Sequence, residues 1–443
     1  MSPARILGLA VCGLLLLLLT GLGLYEQQRD DTAAFVAIAL LQGIVFAIAV
    51  ALVWRGSGSR GALALILAIA AAMRLIALFA PPYLSTDIYR YVWDGRVLAA
   101  GINAYRYIPT DPHLEQLRDA DIFPNINRNN YAPTIYPPVA QAIFFAATRF
   151  GETVTVMKAA MLVFEAAAIG LMLCLLIAAG QPHARILIYA WHPLPVWEFA
   201  GSGHIDAAVV FFVTLALWTC WRLRRWPTGL ALAGAVLTKL YPVVLLPALW
   251  RRWDWWMPLV FGLAIALAYL PFLGVGWGVL GFLPGHMAEE GFNSGGAGFY
   301  LWSLVKSLLP IGNPPALLYI AIAAAVMLAL GAFVAFRRGV PEFDLCGAAL
   351  LAGGFVLLLS PHYPWYFAWL VVFACLLSSV SLLWLTLASF LLYLVPVGAQ
   401  LVADRNRLVT DSIIYVPFIV LAAIELWRQR RREPLSDAEH APR

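Results

Sequence analysis

The sequence predicts an all-α polytopic membrane protein, and three observations support this class. Of the 443 residues, 62% are hydrophobic and 12% are charged, whereas soluble domains are about half apolar and a quarter charged. The mean hydropathy of +0.82 excludes a soluble globule, and it excludes a disordered chain, which needs low hydrophobicity and high charge. Uncharged runs of about 20 residues, long enough to cross a bilayer as a helix, recur along the chain.

The apolar runs form an N-terminal group and a core. Ile6–Leu24, Ala33–Trp54 and Gly61–Ala80 make residues 1–80 a predicted set of N-terminal transmembrane helices. The predicted transmembrane core, residues 153–427, contains nine further runs, at 153–179, 186–199, 205–221, 254–274, 313–336, 343–360, 363–378, 381–397 and 412–427. Three and nine runs together predict a helical bundle with about 12 crossings.

Lysine and arginine in the short loops set the predicted orientation, because loops rich in these residues stay in the cytoplasm. The basic positions are Arg55, Arg60, Arg222, Arg224, Arg225, Arg251, Arg252, Arg337, Arg338, Arg428, Arg430, Arg431 and Arg432. Placing them inside makes both termini cytoplasmic, with 428–443 a basic tail, and puts residues 81–152 on the outer face of the cell (inner) membrane. Since the basic residues lie in these loops, the net charge of +5 indicates no nucleic-acid partner.

The run Pro227–Leu249 departs from this pattern. It is long enough to cross once, yet basic clusters flank both of its ends. Pro242, Pro247 and the central Lys239 favour two half-helices that enter the membrane and return. Broken helices are tolerated in a membrane where protein or a water-filled cavity satisfies the backbone, so this pair indicates a functional site.

Residues 81–152 are the largest polar segment, and we predict that they form an extracytoplasmic catalytic loop with short interfacial helices. Ser85 or Thr86 is placed to cap a helix that starts near Asp87. One face of that helix carries Asp87, Arg90, Tyr91 and Asp94. An alternative interpretation is a solvated salt-bridge ladder, but carboxylates beside aromatic residues at a membrane favour a function. The apolar run from Tyr136 to Phe150 is short for a crossing and is predicted as an interfacial helix.

Further polar residues are predicted near the outer face. They are Glu198, Gly201, Ser202, Gly203, His204 and Asp206 in one turn, Lys239 in the broken pair, His286, Glu289, Glu290 and Asn293 in an outer loop, His362 in another turn, and Arg405 and Arg407 in the last loop. Each alone is more often structural. Together, a few carboxylates and several cations suit a phosphate-bearing lipid and a hydroxyl group to be activated.

The chemistry expected outside the cytoplasm is limited, because no nucleotide sugar is available there. A sugar donor must be carried across on a lipid, and a lipid phosphate leaves readily when cations neutralise it. One carboxylate is then needed to take the proton of the acceptor. Asp87, with scattered Lys, Arg and His residues, fits this requirement.

Several motifs carry a resemblance to a known family. They are STDIYRY at 85–91, DGR at 94–96, AAGINAY at 99–105, YPP at 136–138, HP at 192–193, GHID at 203–206, LTKLYP at 237–242 and HYPWY at 362–366. The order of these motifs, and the side of the membrane on which they are predicted to lie, resemble those of GT-C membrane glycosyltransferases. The resemblance is greatest to the bacterial polyprenyl-phosphate-mannose-dependent α-mannosyltransferases. The chain differs from that group at Ala104, where Pro is usual, and at His192, where Asn is more frequent.

The resemblance implies a GT-C-like fold and roles for individual residues. Asp87 would be the catalytic base, and a β-linked donor giving an α product would make the reaction inverting. The expected donor-phosphate residues are Lys239, His362, Arg74 and His204, and the expected secondary acidic or acceptor-side residues are Asp94, Tyr91 and Arg90. Asp87 and Asp94 lie two turns apart, roughly 10 Å along a helix, too far to share one ion. We therefore expect no metal and no cofactor.

The predicted function is transfer of a hexose, with mannose implied by the resemblance, from a polyprenyl-phosphate donor to a lipid or glycan acceptor beside the bilayer. The alternative is a transporter or flippase of lipid-linked saccharides, which should carry polar residues near the bilayer midplane and show repeat symmetry. Here the polar residues bias toward the outer third, except Glu165 and Lys239. A non-catalytic scaffold would leave Asp87 and Lys239 unexplained.

Overall fold

The computed structural model describes residues 2–54, 59–293, 298–312, 314–315, 317–337, 343–395 and 405–432. Within these ranges all regular structure is helical, which confirms the predicted fold class. Three parts of the topology argument lie outside the described residues, namely Arg55, Arg338 and the tail after residue 432.

The helices have the following bounds. In chain order they are α1 (Pro3–Gln28), α2 (Thr32–Trp54), α3 (Arg60–Leu78), α4 (Asp87–Ala99), α5 (Pro138–Thr148), α6 (Val154–Ala178), α7 (Leu187–Ala190), α8 (Pro193–Pro195), α9 (Asp206–Trp221), α10 (Arg225–Val236), α11 (Leu246–Leu249), α12 (Trp256–Tyr269), α13 (Leu283–Glu289), α14 (Tyr300–Leu308), α15 (Leu318–Phe336), α16 (Leu345–Leu359), α17 (Leu370–Leu377), α18 (Val380–Ala388) and α19 (Arg405–Arg432). Turns of 3₁₀-helix cover Pro112–Leu117, Phe123–Asn125, His183–Ile186, Tyr241–Leu245, Leu270–Leu280, Pro364–Phe367 and Ser389–Leu394, and a π-helical turn covers Val196–Gly201.

Seven helical segments in the described ranges are long and apolar enough to cross a membrane. They are α1, α2, α3, α6, the segment Trp256–Glu289, α15 and Arg407–Arg428 within α19. Each coincides with one of the predicted crossings. Four other predicted crossings coincide with shorter apolar helices, at α9, α16, Pro364–Leu377 and Val380–Leu394. The total number of crossings remains a prediction.

The predicted crossing at 186–199 is not one regular helix. It consists of α7, α8 and a π-helical turn, because Pro193 and Pro195 lack the amide donors that a continuous helix needs. His192 replaces one of these bonds locally, since its Nδ1 accepts from the Leu194 amide at 3.2 Å. Every residue from Ile186 to Val210 is buried, so the surrounding helices enclose this irregular backbone, as a membrane interior requires.

Buried charges join the N-terminal helices to the core. The guanidinium of Arg74 in α3 donates twice to the carboxylate of Glu165 in α6, at 2.6 and 2.8 Å, and once to the Ala190 carbonyl oxygen at 2.8 Å. Lys158 of α6 donates to the carbonyl oxygens of Ala77 and Ala80, at 2.8 and 2.7 Å. These carbonyls lie at or just after the end of α3, where the regular helical donors run out. Lys158 therefore fixes the point at which residues 81–152 begin, and we call this segment, which is predicted to face outward, the outer loop.

The outer loop packs as an ordered unit. Helix α4 crosses α5 at Gly95, where an added Cβ atom would lie 2.5 Å from the carbonyl oxygen of Phe144. Arg96 then ties distant parts of the loop together, because it donates to Asp119 at 2.5 Å and to Glu152 at 2.7 Å. The contact with α5 therefore positions α4, whose first residue is Asp87.

The predicted break in the helical run between residues 227 and 249 is present, whereas the path of its two parts into the membrane and back remains a prediction. Helix α10 ends at Val236, and a 3₁₀ turn and α11 follow. The carbonyl oxygen of Leu237 accepts from the amides of Val139 and Ala140, at 3.0 and 3.2 Å. This acceptor at the end of α10 meets the unpaired donors at the start of α5, so the break is held against the outer loop.

Candidate active site

A cavity of about 800 Å³ lies where the outer loop meets the broken helix pair. We call it the central cavity. The start of α4, the segment 127–137, the break at 239–243, α13, the end of α16 and the segment Pro361–Tyr366 all contribute to its wall. Its charged and amide-bearing residues are Asp87, Arg90, Asn127, Arg128, Lys239, His286, Glu289 and Glu290, and its apolar residues include Leu240, Val243, Leu283, Met287, Phe355 and Leu359.

Asp87 is the first residue of α4 and lines this cavity. The predicted capping interaction comes from Ser85, whose hydroxyl oxygen accepts from the Asp87 amide at 3.2 Å, whereas Thr86 makes no side-chain cap. The carboxylate oxygen Oδ1 accepts from Asn127 Nδ2 at 2.6 Å. The half-buried carboxylate therefore faces the cavity while a neutral amide holds one of its oxygens.

Arg90 and Asp94 form a buried ion pair, so the alternative of a solvated ladder is wrong. Arg90 Nε donates to Asp94 Oδ1 at 2.8 Å, and the two side chains are 6% and 2% exposed. The other oxygen of Asp94 accepts from Thr134 and from Gln141, the latter at 3.0 Å. Arg90 also donates to the Ala132 carbonyl oxygen at 3.1 Å. Arg90 reaches the cavity wall, whereas Asp94 does not line it and fastens the loop to α4.

Three other predicted site residues also lie away from the cavity wall. Tyr91 is fully buried and its ring stacks on Phe144, with centroids 4.5 Å apart. Arg74 is occupied by Glu165. His204 stacks on Trp365 at 4.3 Å. None of the three lines the cavity, although Tyr91 and His204 each pack against a residue that does, Tyr136 and Trp365 respectively.

Lys239 lines the cavity beside the break in the helix pair. Its Nζ donates to Oδ2 of the fully buried Asp206 at 2.6 Å, and the Tyr241 hydroxyl donates to Oδ1 of the same carboxylate at 2.8 Å. The Lys239 ammonium also lies 4.9 Å from the centroid of the Tyr366 ring. These contacts give the ammonium one fixed position at the cavity wall.

His362 is buried behind the cavity. Its Nδ1 lies 3.0 Å from an oxygen of Glu290, and Glu290 itself lines the cavity. Burial opposes the charge on Glu290, but the contact with His362, together with the nearby His286 and Arg407, outweighs it, so the pKa of that carboxyl is lowered. Arg407, predicted in the last loop, lies instead in α19, where its buried Nε is 3.4 Å from Oδ2 of the buried Asp411. His362 therefore acts on the cavity through Glu290.

The segment after Ile126 closes one side of the cavity. Arg128 Nη2 lies 2.8 Å from Glu289 Oε2, and the Tyr131 hydroxyl donates to Glu289 Oε1 at 3.0 Å. Desolvation opposes the charge of Arg128, but the hydrogen bond and charge of Glu289 outweigh it, so the pKa of Arg128 is raised. These contacts connect the outer loop to α13.

The family of the chain is shown by its N-terminal part. A family model for the N-terminal domain of alpha-(1->6)-mannopyranosyltransferases matches residues 8–254, which is more than half of the chain. The chain belongs to this mannosyltransferase family. The match confirms the resemblance drawn from the loop motifs. Comparisons with curated proteins and with solved structures gave no match.

The matched part of the mannosyltransferase contains Asp87 and Lys239, whereas Glu289 and His362 lie beyond it. Among the described residues of the mannosyltransferase, no group of three or more His, Cys, Asp or Glu side chains is arranged to hold a metal ion. The expectation of a reaction without metal or cofactor remains a prediction.

Sequence reasoning missed one pairing and two residues of the site in the mannosyltransferase. Asp206 was recognised as a polar residue of a turn, but its pairing with Lys239 was not. Asn127 and Arg128 were not singled out, although the polar run NRNN at 127–130 was an available signal inside the predicted catalytic loop.

Proposed function

We propose that this mannosyltransferase moves mannose from a polyprenyl-phosphate donor to a hydroxyl acceptor at the extracytoplasmic face, with inversion. The observation that carries the proposal is that Asp87 and Lys239 line one cavity that also has an extensive apolar wall. A carboxylate base, a fixed cation and an apolar surface are the three features that the reaction requires.

Asp87 and Asp94 are the two carboxylates on one face of α4, and their hydrogen-bond partners favour Asp87 as the base. Both oxygens of Asp94 accept bonds from Arg90, Thr134 and Gln141 within the loop. Asp87, in contrast, lines the cavity and bonds to one neutral amide. A general base must come within hydrogen-bond distance of the proton that it removes, and of these two carboxylates Asp87 has that access.

The donor assignment rests on the surroundings of Lys239. A point charge held by Asp206 neutralises a departing phosphate without reorganising. Leu240 and Val243 follow it in the chain, line the cavity, and are 41% and 43% exposed. We assign the phosphate to Lys239 and the first isoprene units to the surface beside Leu240 and Val243. Neither Arg74 nor His204 contacts the phosphate in this arrangement, because neither side chain lines the cavity.

The proposed reaction is a single displacement at C1 of mannose. Asp87 takes the proton of the acceptor hydroxyl, and the hydroxyl oxygen forms a bond to C1 of mannose. The bond between C1 and the phosphate oxygen breaks on the opposite side, and its electron pair leaves with the polyprenyl phosphate. A β-linked donor gives an α product. The family description names a 1→6 linkage, so the proposed acceptor group is the 6-hydroxyl of a sugar residue.

The test uses purified protein, a synthetic polyprenyl-phospho-β-mannose and an α-mannoside acceptor, with the product analysed by mass spectrometry and NMR. Asp87→Asn should lower turnover at least about 10²-fold, the lower range for loss of a general base. Asp121→Asn is the matched control, because Asp121 is exposed in the same loop and does not line the cavity.

Two outcomes contradict the proposal. Wild-type turnover by Asp87→Asn would remove Asp87 from the mechanism. Transfer from a nucleotide-linked mannose, with none from the lipid donor, would show that the donor class is wrong.

A further inference from the structure

A short segment of the outer loop crosses the central cavity between Asp87 and α13. We call residues 126–131 the strap. Ile126 is 4% exposed and anchors its start in the core, and Arg128 adopts the left-handed backbone region, with φ of 54°. Such a conformation is uncommon for a residue other than glycine. The strap therefore has a defined shape, and Asn127 lies between its anchored start and its turn.

Asn127 directs its amide at the proposed base. Its Nδ2 donates to Asp87 Oδ1 at 2.6 Å. Within the described part of the chain, no other side-chain donor bonds to this carboxylate. The two residues are 40 positions apart in the chain. The orientation of the Asp87 carboxylate therefore depends on the strap as well as on α4.

The other end of the strap is attached to α13. Arg128 bonds to Glu289 through Nε and Nη2, both at 2.8 Å, and Tyr131 donates to the second oxygen of the same carboxylate at 3.0 Å. Arg128 and Glu289 remain 30% and 33% exposed, so this ion pair contributes little to global stability. Its effect is to hold the strap, and with it Asn127, over the cavity.

We propose that Asn127 is a positioning residue for Asp87, held in place by the attachment of Arg128 to Glu289; this inference rests on the proposed function. The amide occupies Oδ1 and fixes the rotation of the carboxylate, so Oδ2 is the oxygen that takes the proton of the acceptor. Without Asn127 the carboxylate rotates among several orientations, and productive encounters with the hydroxyl become rarer. Misplacement of a reacting group by about 1 Å costs on the order of 10²-fold in rate.

Two substitutions test the contact directly. Asn127→Ala removes the donor, and Asn127→Asp keeps the size of the side chain but places an acceptor and a negative charge against Asp87. Both should lower kcat by roughly 30-fold to 100-fold and leave the KM for the lipid donor within about twofold, since Lys239 is unchanged. Asn130→Asp is the matched control, because Asn130 is exposed in the same segment and does not line the cavity.

The attachment to α13 is tested by Glu289→Gln, which removes the charge at nearly constant volume. It should reproduce part of the Asn127→Ala loss in kcat, roughly 3-fold to 10-fold by the same positioning argument, while the melting temperature stays within about 2 °C of wild type, as for an exposed ion pair. A fall in kcat that follows a fall in melting temperature would assign Asn127 and Glu289 to folding and overturn the proposal.

A double-mutant cycle separates this proposal from the proposed function. Asp87→Glu retains a base but displaces it by one methylene group from the Asn127 amide. If Asn127 acts through Asp87, adding Asn127→Ala to Asp87→Glu should cost less than about 3-fold, because residues in contact are not additive. The full loss in the double variant, or kcat for Asn127→Ala within about 3-fold of wild type, would overturn the positioning role. Loss of activity in Asp87→Asn together with normal activity in Asn127→Ala would refute this inference alone, whereas full activity in Asp87→Asn would refute the proposed function.

Discussion

Replacing Asp94 by Asn tests whether the buried ion pair of the outer loop holds the loop against α4. Asp94 accepts from Arg90 at 2.8 Å, from Gln141 at 3.0 Å and from Thr134. In the Asn variant the guanidinium of Arg90 stays buried and loses its counter-charge, and its remaining acceptors are neutral: the carbonyl oxygen of Ala132 and at most the amide oxygen of the new side chain. Breaking a buried pair in this way costs about 3–5 kcal/mol.

The assay is thermal unfolding of the detergent-purified protein, followed by tryptophan fluorescence, together with the rate of proteolysis within residues 81–152. Asp94→Asn should lower the melting temperature by several degrees and expose the loop to protease. Asp121→Asn makes the same chemical change at an exposed position, and such changes are usually within about 0.5 kcal/mol of wild type.

A second variant distinguishes loss of the pair from loss of one charge. Arg90→Met with Asp94→Leu replaces both charges by apolar side chains, and buried pairs replaced in this way often keep or gain stability. The double variant should therefore be more stable than Asp94→Asn. Two results would refute this reasoning: a melting temperature of Asp94→Asn equal to that of the wild type, or a double variant less stable than both the wild type and Asp94→Asn.

Two further predictions concern the donor and the topology. Lys239→Met should raise the KM for the lipid donor by roughly 10-fold to 100-fold and change the acceptor KM little, because a hydrogen bond to a charged group contributes about 1.5–3 kcal/mol. Adding Asp206→Asn to this variant controls for the buried carboxylate that Lys239→Met leaves unpaired. Equal changes in both KM values would make Lys239 structural. In a background without the five native cysteines, a cysteine at Asn125 should react with an impermeant reagent in intact cells and one at Ala179 should not. The reverse labelling pattern would invert the proposed orientation and remove the cavity from the outer face.

Elements with local causes were predictable from the sequence. The start of α4 follows from Ser85, and the break around Lys239 follows from Pro242 and Pro247 nearby. Capping and proline chemistry act over a few residues, so a linear pattern is enough to place them. The irregular backbone after Ile186 has a local cause of the same kind in Pro193 and Pro195, but the prediction of a crossing there rested on apolar composition alone.

Pairings between distant residues were not predictable. Helical periodicity placed Tyr91 and Asp94 on the face that carries Asp87, but it does not tell which part of that face α5 covers. Tyr91 stacks on Phe144 of α5 and Asp94 bonds to Gln141 of the same helix. The partners of Lys239 and Arg128 depend in the same way on the packing of remote segments, and no local signal identifies them.

The pair of Arg74 with Glu165 has a consequence for how the chain is made. Ribosomal synthesis produces α3 before α6, and the two residues are 91 positions apart. Of the groups that bind the guanidinium, only the carbonyl oxygen of Ala70, at 3.1 Å within α3, exists when Arg74 first reaches the bilayer. The anion arrives after the whole outer loop has been translated. The buried ion pair thus has its cation in residues 1–80 and its anion in residues 153–427. If the chain were divided between these segments, one fragment would carry a buried cation without its counter-charge and the other a buried anion without its own.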